Sequence, residues 1–134
     1  MGRLHETSTL HEVPFHDVDG MGIVWHGNYY KYFELGRTTH LRSRGLDVGD
    51  LIGPRYRFVV IESKCRYVFP LFYADEIQIS ARFKDTRHRL LVGYEITNLT
   101  RGRRSAKGHT ALATLDSNER LLLDTPDAIL ERIR

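Results

Sequence analysis

The sequence predicts an α+β domain in which a five-stranded antiparallel sheet is wrapped around one long central helix, with a short C-terminal helix. Three observations predict it. A strongly aromatic segment near residue 30 follows a helical period, later segments alternate apolar and polar residues, and turn residues separate them. A sheet with one apolar face must be covered, and that aromatic helix is the only element long enough to do it.

Thr7 to Phe15 mixes polar and apolar positions and reads as the first strand, with Leu10, Val13 and Phe15 available to a core face. His16-Asp17-Val18-Asp19-Gly20-Met21-Gly22 is too rich in Asp and Gly for a regular element and reads as a loop with positive-φ glycines. Asn28 to Arg44 is the long helix. Asn28 is positioned to cap it, and Tyr29, Tyr32, Phe33, Gly36 and His40 keep the helical period. Arg42 and Arg44 meet the negative end of the helix dipole, and Gly45 supplies the stop. Aromatic residues occupy several faces, so the helix should be largely enclosed. Gly36 in mid-helix costs about 1 kcal/mol relative to alanine, a cost that close approach of a strand would explain.

After a loop carrying Gly49, Gly53 and Pro54, β periodicity takes over. Arg57 to Phe69 alternates through Phe58 and Val60, then through Cys65, Tyr67 and Phe69. Glu76 to Lys84 sets Ile77, Ile79, Ala81 and Phe83 against Gln78, Ser80 and Arg82. Leu90 to Leu99 and Ala106 to Leu115 complete a meander of four strands, with Arg101-Gly102-Arg103 as a hairpin turn. Thr125-Pro126-Asp127 opens the C-terminal helix, proline being favoured in a first turn.

Composition narrows the function. The 134 residues suit a single domain spanning 1–134, and 41% hydrophobic with 28% charged residues is an ordinary globular profile. A net charge of +3, with no dense basic run, argues against nucleic acid as a partner. Sixteen of the 20 basic residues are arginines, a bias compatible with a phosphorylated ligand and equally with a GC-rich genome. Cys65 is the one cysteine, which excludes an internal disulfide framework and a cysteine-based zinc site. No 18-residue apolar stretch exists and the first residues lack a signal-peptide core, so no membrane span and a cytoplasmic location are expected.

The chemistry concentrates in Phe15 to Tyr29. Two carboxylates, Asp17 and Asp19, lie on a glycine-rich loop just before the N-terminus of the buried helix. A helix N-terminus carries unpaired N–H groups and partial positive charge. Such donors can stabilise an oxyanion while a nearby carboxylate attacks a carbonyl or activates water, the requirements of acyl transfer. The competing role for Asp19 is a loop-bracing hydrogen bond to backbone N–H groups. For His26 it is a structural hydrogen bond near the helix start.

The pattern Asp17-x-Asp19-x-x-Gly22-Ile23-Val24-Trp25-x-x-Asn28-Tyr29, with Glu34 six residues after the Asn, resembles the 4-hydroxybenzoyl-CoA thioesterase family of hot-dog-fold proteins. That family includes Tol–Pal-associated acyl-CoA thioesterases and 1,4-dihydroxy-2-naphthoyl-CoA hydrolases. Pro70, Tyr73, Asp75 and Glu76 extend the resemblance, which with the element order covers nearly the whole chain.

The resemblance implies a hot-dog fold and an acyl-CoA thioester hydrolase that releases a free acid and coenzyme A. Asp19 matches the catalytic carboxylate, nucleophile or general base. His26 matches the residue whose backbone N–H polarises the thioester carbonyl. Asp17 is expected to shape the loop, and Glu34 to stand behind Asp19 as a supporting or backup carboxylate. No cofactor is implied beyond the coenzyme A of the substrate, and no metal, since His16, Asp19 and His26 show no known ligand spacing. The substrate would be an acyl-CoA or an acyl-carrier-protein thioester, and the protein a homodimer or homotetramer with its site at a subunit interface. Two other roles stay open: an enoyl-thioester hydratase or dehydratase using His26 with Asp19 or Glu34, and a non-catalytic acyl-CoA-binding module.

Overall fold

The computed structural model describes residues 5–48 and 55–134, so the expected loop around Gly49, Gly53 and Pro54 lies outside the described residues. Strand β1 (Thr7–Glu12) leads through a short 3-10 turn (Phe15–Asp17) to helix α1 (Asn28–Arg42). Strands β2 (Arg57–Tyr67), β3 (Glu76–Asp85), β4 (Leu90–Asn98) and β5 (Arg103–Leu115) follow, then helix α2 (Asp127–Ile133). The five strands form one antiparallel sheet in the order β1-β3-β4-β5-β2. Among the described residues no helix is long and apolar enough to cross a membrane.

Strands β3, β4 and β5 meander as expected, but β2 does not join β3. It crosses to the far edge and pairs with β5. The segment between β2 and β3 is too long for a hairpin turn, and its backbone is committed elsewhere. The Val68 N–H donates to the Ser105 carbonyl at 2.9 Å, and the Leu71 carbonyl accepts from Val24 at 2.8 Å.

The core lies between α1 and the sheet. Tyr32 and Phe33 are fully buried against Ile77, Ile79, Val92, Tyr94 and Ile96, and Phe33 stacks on Tyr94 with centroids 4.4 Å apart. Gly36 fits the close approach its sequence position suggests: a Cβ there would sit 2.6 Å from Ile79 Cγ2. The helix ends at Arg42, two residues before the expected Arg44, and Gly45 supplies the stop. Gly45 adopts φ +65, its N–H donates to the Arg42 carbonyl at 3.1 Å, and Leu46 N–H donates to Leu41 at 2.9 Å. Buried Leu46 closes this Schellman motif with an apolar contact.

Strand β1 differs from expectation. Leu10 is 72% and Phe15 73% exposed, and only Val13 of the three joins the core. The inward face carries Thr7, Thr9 and His11, which meet α1 through polar contacts. Thr7 Oγ1 pairs with His40 Nδ1 at 2.9 Å, and Thr9 donates to Thr39 at 2.8 Å. Along β2 the apolar positions change parity between Val60 and Cys65, and the structure inserts a bulge between Val60 and Glu62. This edge strand stays exposed, with Val60 and Tyr67 each about half accessible, so it contributes less core than its alternation suggests. The helix is likewise enclosed on one side only: Tyr30, Lys31 and Glu34 face outward.

Candidate active site

The segment joining β1 to α1 is tightly folded by its own backbone. Val18 and Val24 form an antiparallel bridge, Asp19 N–H donates to the Ile23 carbonyl at 2.8 Å, and Gly22 turns the chain at φ +83. That left-handed conformation explains the glycine. Ile23 then bridges to Phe72, which moors the loop on the crossover segment.

Asp17 is the inner anchor. Its carboxylate is 2% exposed and accepts from the Tyr32 hydroxyl at 2.7 Å and from the Lys31 ammonium. Burial pushes its pKa up, but the bonds from Lys31 and Tyr32 outweigh burial and hold it below the ordinary aspartate value. Tyr32, burdened by burial and by that carboxylate, is held protonated far above neutral pH. The Asp17 carbonyl accepts from Trp25 N–H and from Asn28 Nδ2, each at 3.0 Å. Asn28 is therefore not the cap. Gly27 holds the N-cap position with no side-chain cap bond, and a Cβ there would lie 2.1 Å from Trp25 Cζ3.

This anchoring leaves the start of α1 open. Among the described residues neither the His26 nor the Gly27 backbone N–H is engaged in a hydrogen bond. A cavity of about 320 Å³ lies at this point. Asp19, Ile23 and Val24 form its loop wall, His26 and Tyr29 its helix wall, and Tyr67, Phe69 and Pro70, at and just after the end of β2, the remaining wall. The structure thus brings Asp19 and His26 to one cavity. One Asp19 oxygen also accepts the Met21 N–H at 2.8 Å, the loop-bracing contact that competed with the reactive role in the sequence.

The two tyrosines were not legible as site residues. Tyr29 is buried among the core residues, yet it lines the cavity. The Tyr67 hydroxyl donates to the His26 carbonyl at 2.9 Å and so fixes the first turn of α1 against β2. Burial raises both phenols to about 12, so each is a hydrogen-bond donor at neutral pH rather than a base. Burial also lifts the Cys65 thiol to about 11, against the opposing bond from Tyr67, which removes it as a nucleophile at neutral pH.

Glu34 lies on α1 as expected but is not enclosed. Its side chain is exposed and lines a separate cleft with Arg37, Thr38 and Arg57, away from Asp19 within this chain. Aromatic residues on several faces suggest an enclosed helix, whereas the sheet covers only the opposite face. His16 turns outward beside Asp17, 3.6 Å away, and among the described residues no group of three His, Cys, Asp or Glu could hold a metal ion. The downstream motif has a structural use: the buried Asp75 carboxylate accepts from Phe72 N–H at 3.0 Å, Asn98 Nδ2 at 2.7 Å and Arg101 Nε at 3.2 Å.

Comparison with known proteins fits this architecture. The sequence profile of the thioesterase-like superfamily matches residues 13–133. A putative esterase of Aquifex aeolicus is 34% identical over 73 residues, 54% of this chain and 57% of that protein. The acyl-CoA thioester hydrolase YbgC of Escherichia coli is 30% identical over 80 residues, 60% of each chain. The matched stretches therefore span less than two thirds of either relative. The 1,4-dihydroxy-2-naphthoyl-CoA thioesterase of Synechocystis superimposes with a TM-score of 0.84 at 18% identity, over 96% of this chain and 95% of that one, a likeness of fold. The profile match over most of the chain and the sheet wrapped on one helix agree: this chain belongs to the thioesterase-like superfamily, with the hot-dog fold.

Proposed function

We propose that this protein hydrolyses acyl-CoA thioesters, with the Asp19 carboxylate as nucleophile or general base and the His26 backbone N–H as donor to the developing oxyanion. The observation that carries the reading is the shared cavity. Asp19 and His26, whose backbone N–H is unbonded, line one space, so negative charge growing on a carbonyl oxygen there would meet a fixed donor. The helix dipole adds to it. Asp17 does not compete as the reacting group because Lys31 and Tyr32 already occupy its oxygens.

The bond that breaks is the thioester C–S bond. As nucleophile, Asp19 forms an acyl anhydride that water resolves. As base, it takes a proton from the attacking water. Either route releases the thiol of coenzyme A and a free acid, and requires no metal or further cofactor. The related proteins named for acyl-CoA hydrolysis support this substrate class, with acyl-carrier-protein thioesters as the other carrier.

The proposal includes a homodimer or homotetramer in the cytoplasm, where coenzyme A thioesters are made. An assembly would cover the exposed β2 edge and the outward face of α1. The test is Asp19→Asn with a thiol-detecting reagent and a panel of aliphatic and aromatic acyl-CoAs. Turnover should fall by about 10²–10⁴ with the fold retained, and near wild-type turnover would remove Asp19 from the chemistry.

A further inference from the structure

The outer face of the sheet, turned away from α1, carries a second concentration of charge. Gly108 faces inward: a Cβ on it would meet Phe33 Cε2 at 2.6 Å. Side chains alternate along a strand, so Lys107 and His109 point outward. Their cross-strand partners on β2 are Arg66, opposite Lys107, and Lys64, opposite His109. From β3, Lys84 reaches across β4, where Gly93 leaves room; a Cβ at Gly93 would lie 2.6 Å from Lys84 Cδ.

Together Lys64, Arg66, Lys84, Lys107 and His109 line a cleft of about 240 Å³, and no acidic residue lines it. Three of the chain's four lysines are gathered here, in a protein that otherwise uses arginine. Two carboxylates border it: Glu62 lies 3.3 Å from the lining His109, and Glu95, 3.1 Å from Arg104, is the cross-strand neighbour of Lys107 on β4, so Lys64, Arg66 and Lys84 carry most of the cleft's positive charge.

Like charges placed directly across an antiparallel pair destabilise it, and Arg66 opposite Lys107 is such a pair. The fold does not require them there: outward positions of an edge pair accept any polar residue. Clustered ammonium groups are efficient point-charge binders of phosphate, and the cleft falls below the roughly 300–1,000 Å³ of drug-sized pockets. We propose that this cleft is a binding site for a compact phosphate-bearing anion, distinct from the Asp19 cavity on the opposite face. The anion is either the phosphorylated nucleotide end of the thioester substrate or a separate small phosphorylated ligand. Anion binding here does not depend on the hydrolase reading, because it is measured with no thioester present.

The test is calorimetric titration of the full chain with inorganic pyrophosphate and with adenosine 3′,5′-bisphosphate, at low and physiological salt. The wild type should bind saturably, more weakly as salt rises, and Lys64→Gln/Lys107→Gln should bind at least about tenfold more weakly. Both lysines are exposed, so the variant's unfolding midpoint should match the wild type and serve as the folding control. If the variant also raises KM for an acyl-CoA but not for the matching acyl-pantetheine, the anion is the substrate's nucleotide end. If KM is unchanged, it is a separate phosphorylated ligand. Absence of saturable binding by the wild type, or equal binding by the variant, would overturn the proposal.

Discussion

Asp17 and Asp19 are two residues apart, and the structure predicts opposite consequences for losing each. Replacing Asp17 with Ala strands the buried Tyr32 hydroxyl without its acceptor, which costs about 1–3 kcal/mol. Its bond to Lys31 is also lost, but that ammonium is 43% exposed and returns to water, so this part is worth at most about 1 kcal/mol. The total, roughly 1–4 kcal/mol, corresponds to a fall in Tm of about 4–16 °C at around 4 °C per kcal/mol. Asp17→Asn keeps an acceptor for Tyr32 and loses the charge, so its fall should be about half as large. Asp19→Asn can still accept the Met21 N–H, and stability should stay within about 0.5 kcal/mol of wild type. The assay pairs thermal unfolding by circular dichroism with thiol release. Asp17 variants melting with the wild type, or Asp19→Asn melting early while still turning over, would refute the division of labour between anchor and reacting group. The pH dependence adds a sign. Because the folded pKa of Asp17 is lowered, its stabilisation is present above the unfolded value near 3.8 and disappears as pH falls through the folded value, so Asp17→Ala should show a shallower acid limb.

Two further outcomes follow from the packing. His40 is fully buried between Thr7 and the Phe83 ring, and burial lowers its pKa to about 4 from 6.5. The unfolded chain binds the extra proton first, so stability should fall between pH 6.5 and about 4 by up to about 3 kcal/mol, and His40→Gln should flatten urea-unfolding midpoints across that window. Gly36→Ala gains about 1 kcal/mol of helix propensity but drives a methyl against the buried, β-branched Ile79 at a cost of about 1–3 kcal/mol. Net destabilisation is expected in urea titration, relieved in a double-mutant cycle with Ile79→Ala; a more stable Gly36→Ala would show that α1 and β3 can separate.

Much of the fold was legible because its signals are local. Gly45 announces the end of α1 through its own conformation and Leu46, and Ile77, Ile79 and Ala81 give the inner face of β3 by simple alternation. The loop pattern around Asp19 and Trp25 carries a family resemblance dense enough to name the fold. What escaped depends on partners distant in sequence. Leu10 looks like a core residue until the inner face of β1 is seen to be Thr7, Thr9 and His11 meeting α1 through hydrogen bonds. Glu34 sits on a helix with aromatics on several faces, but aromatic content does not say how wide an arc the sheet covers. Tyr67 reads as one more alternating aromatic, and its bond to the His26 carbonyl links residues 41 apart, which no local pattern encodes.

The crossing of β2 to the far edge also sets the order in which the Asp19 cavity can be completed. Thr7 pairs with Ala81, Arg57 with Leu115 and Tyr67 with Ala106, so both edges of the sheet close over long stretches of chain. Tyr67 and Phe69 have no strand to rest on until β5 exists, and a chain still on the ribosome with β5 unmade has Asp19 and His26 without their opposite wall. Assembly of the cavity therefore belongs to the slow, non-local phase of folding. The cavity is closed only once nearly the whole domain has been synthesised.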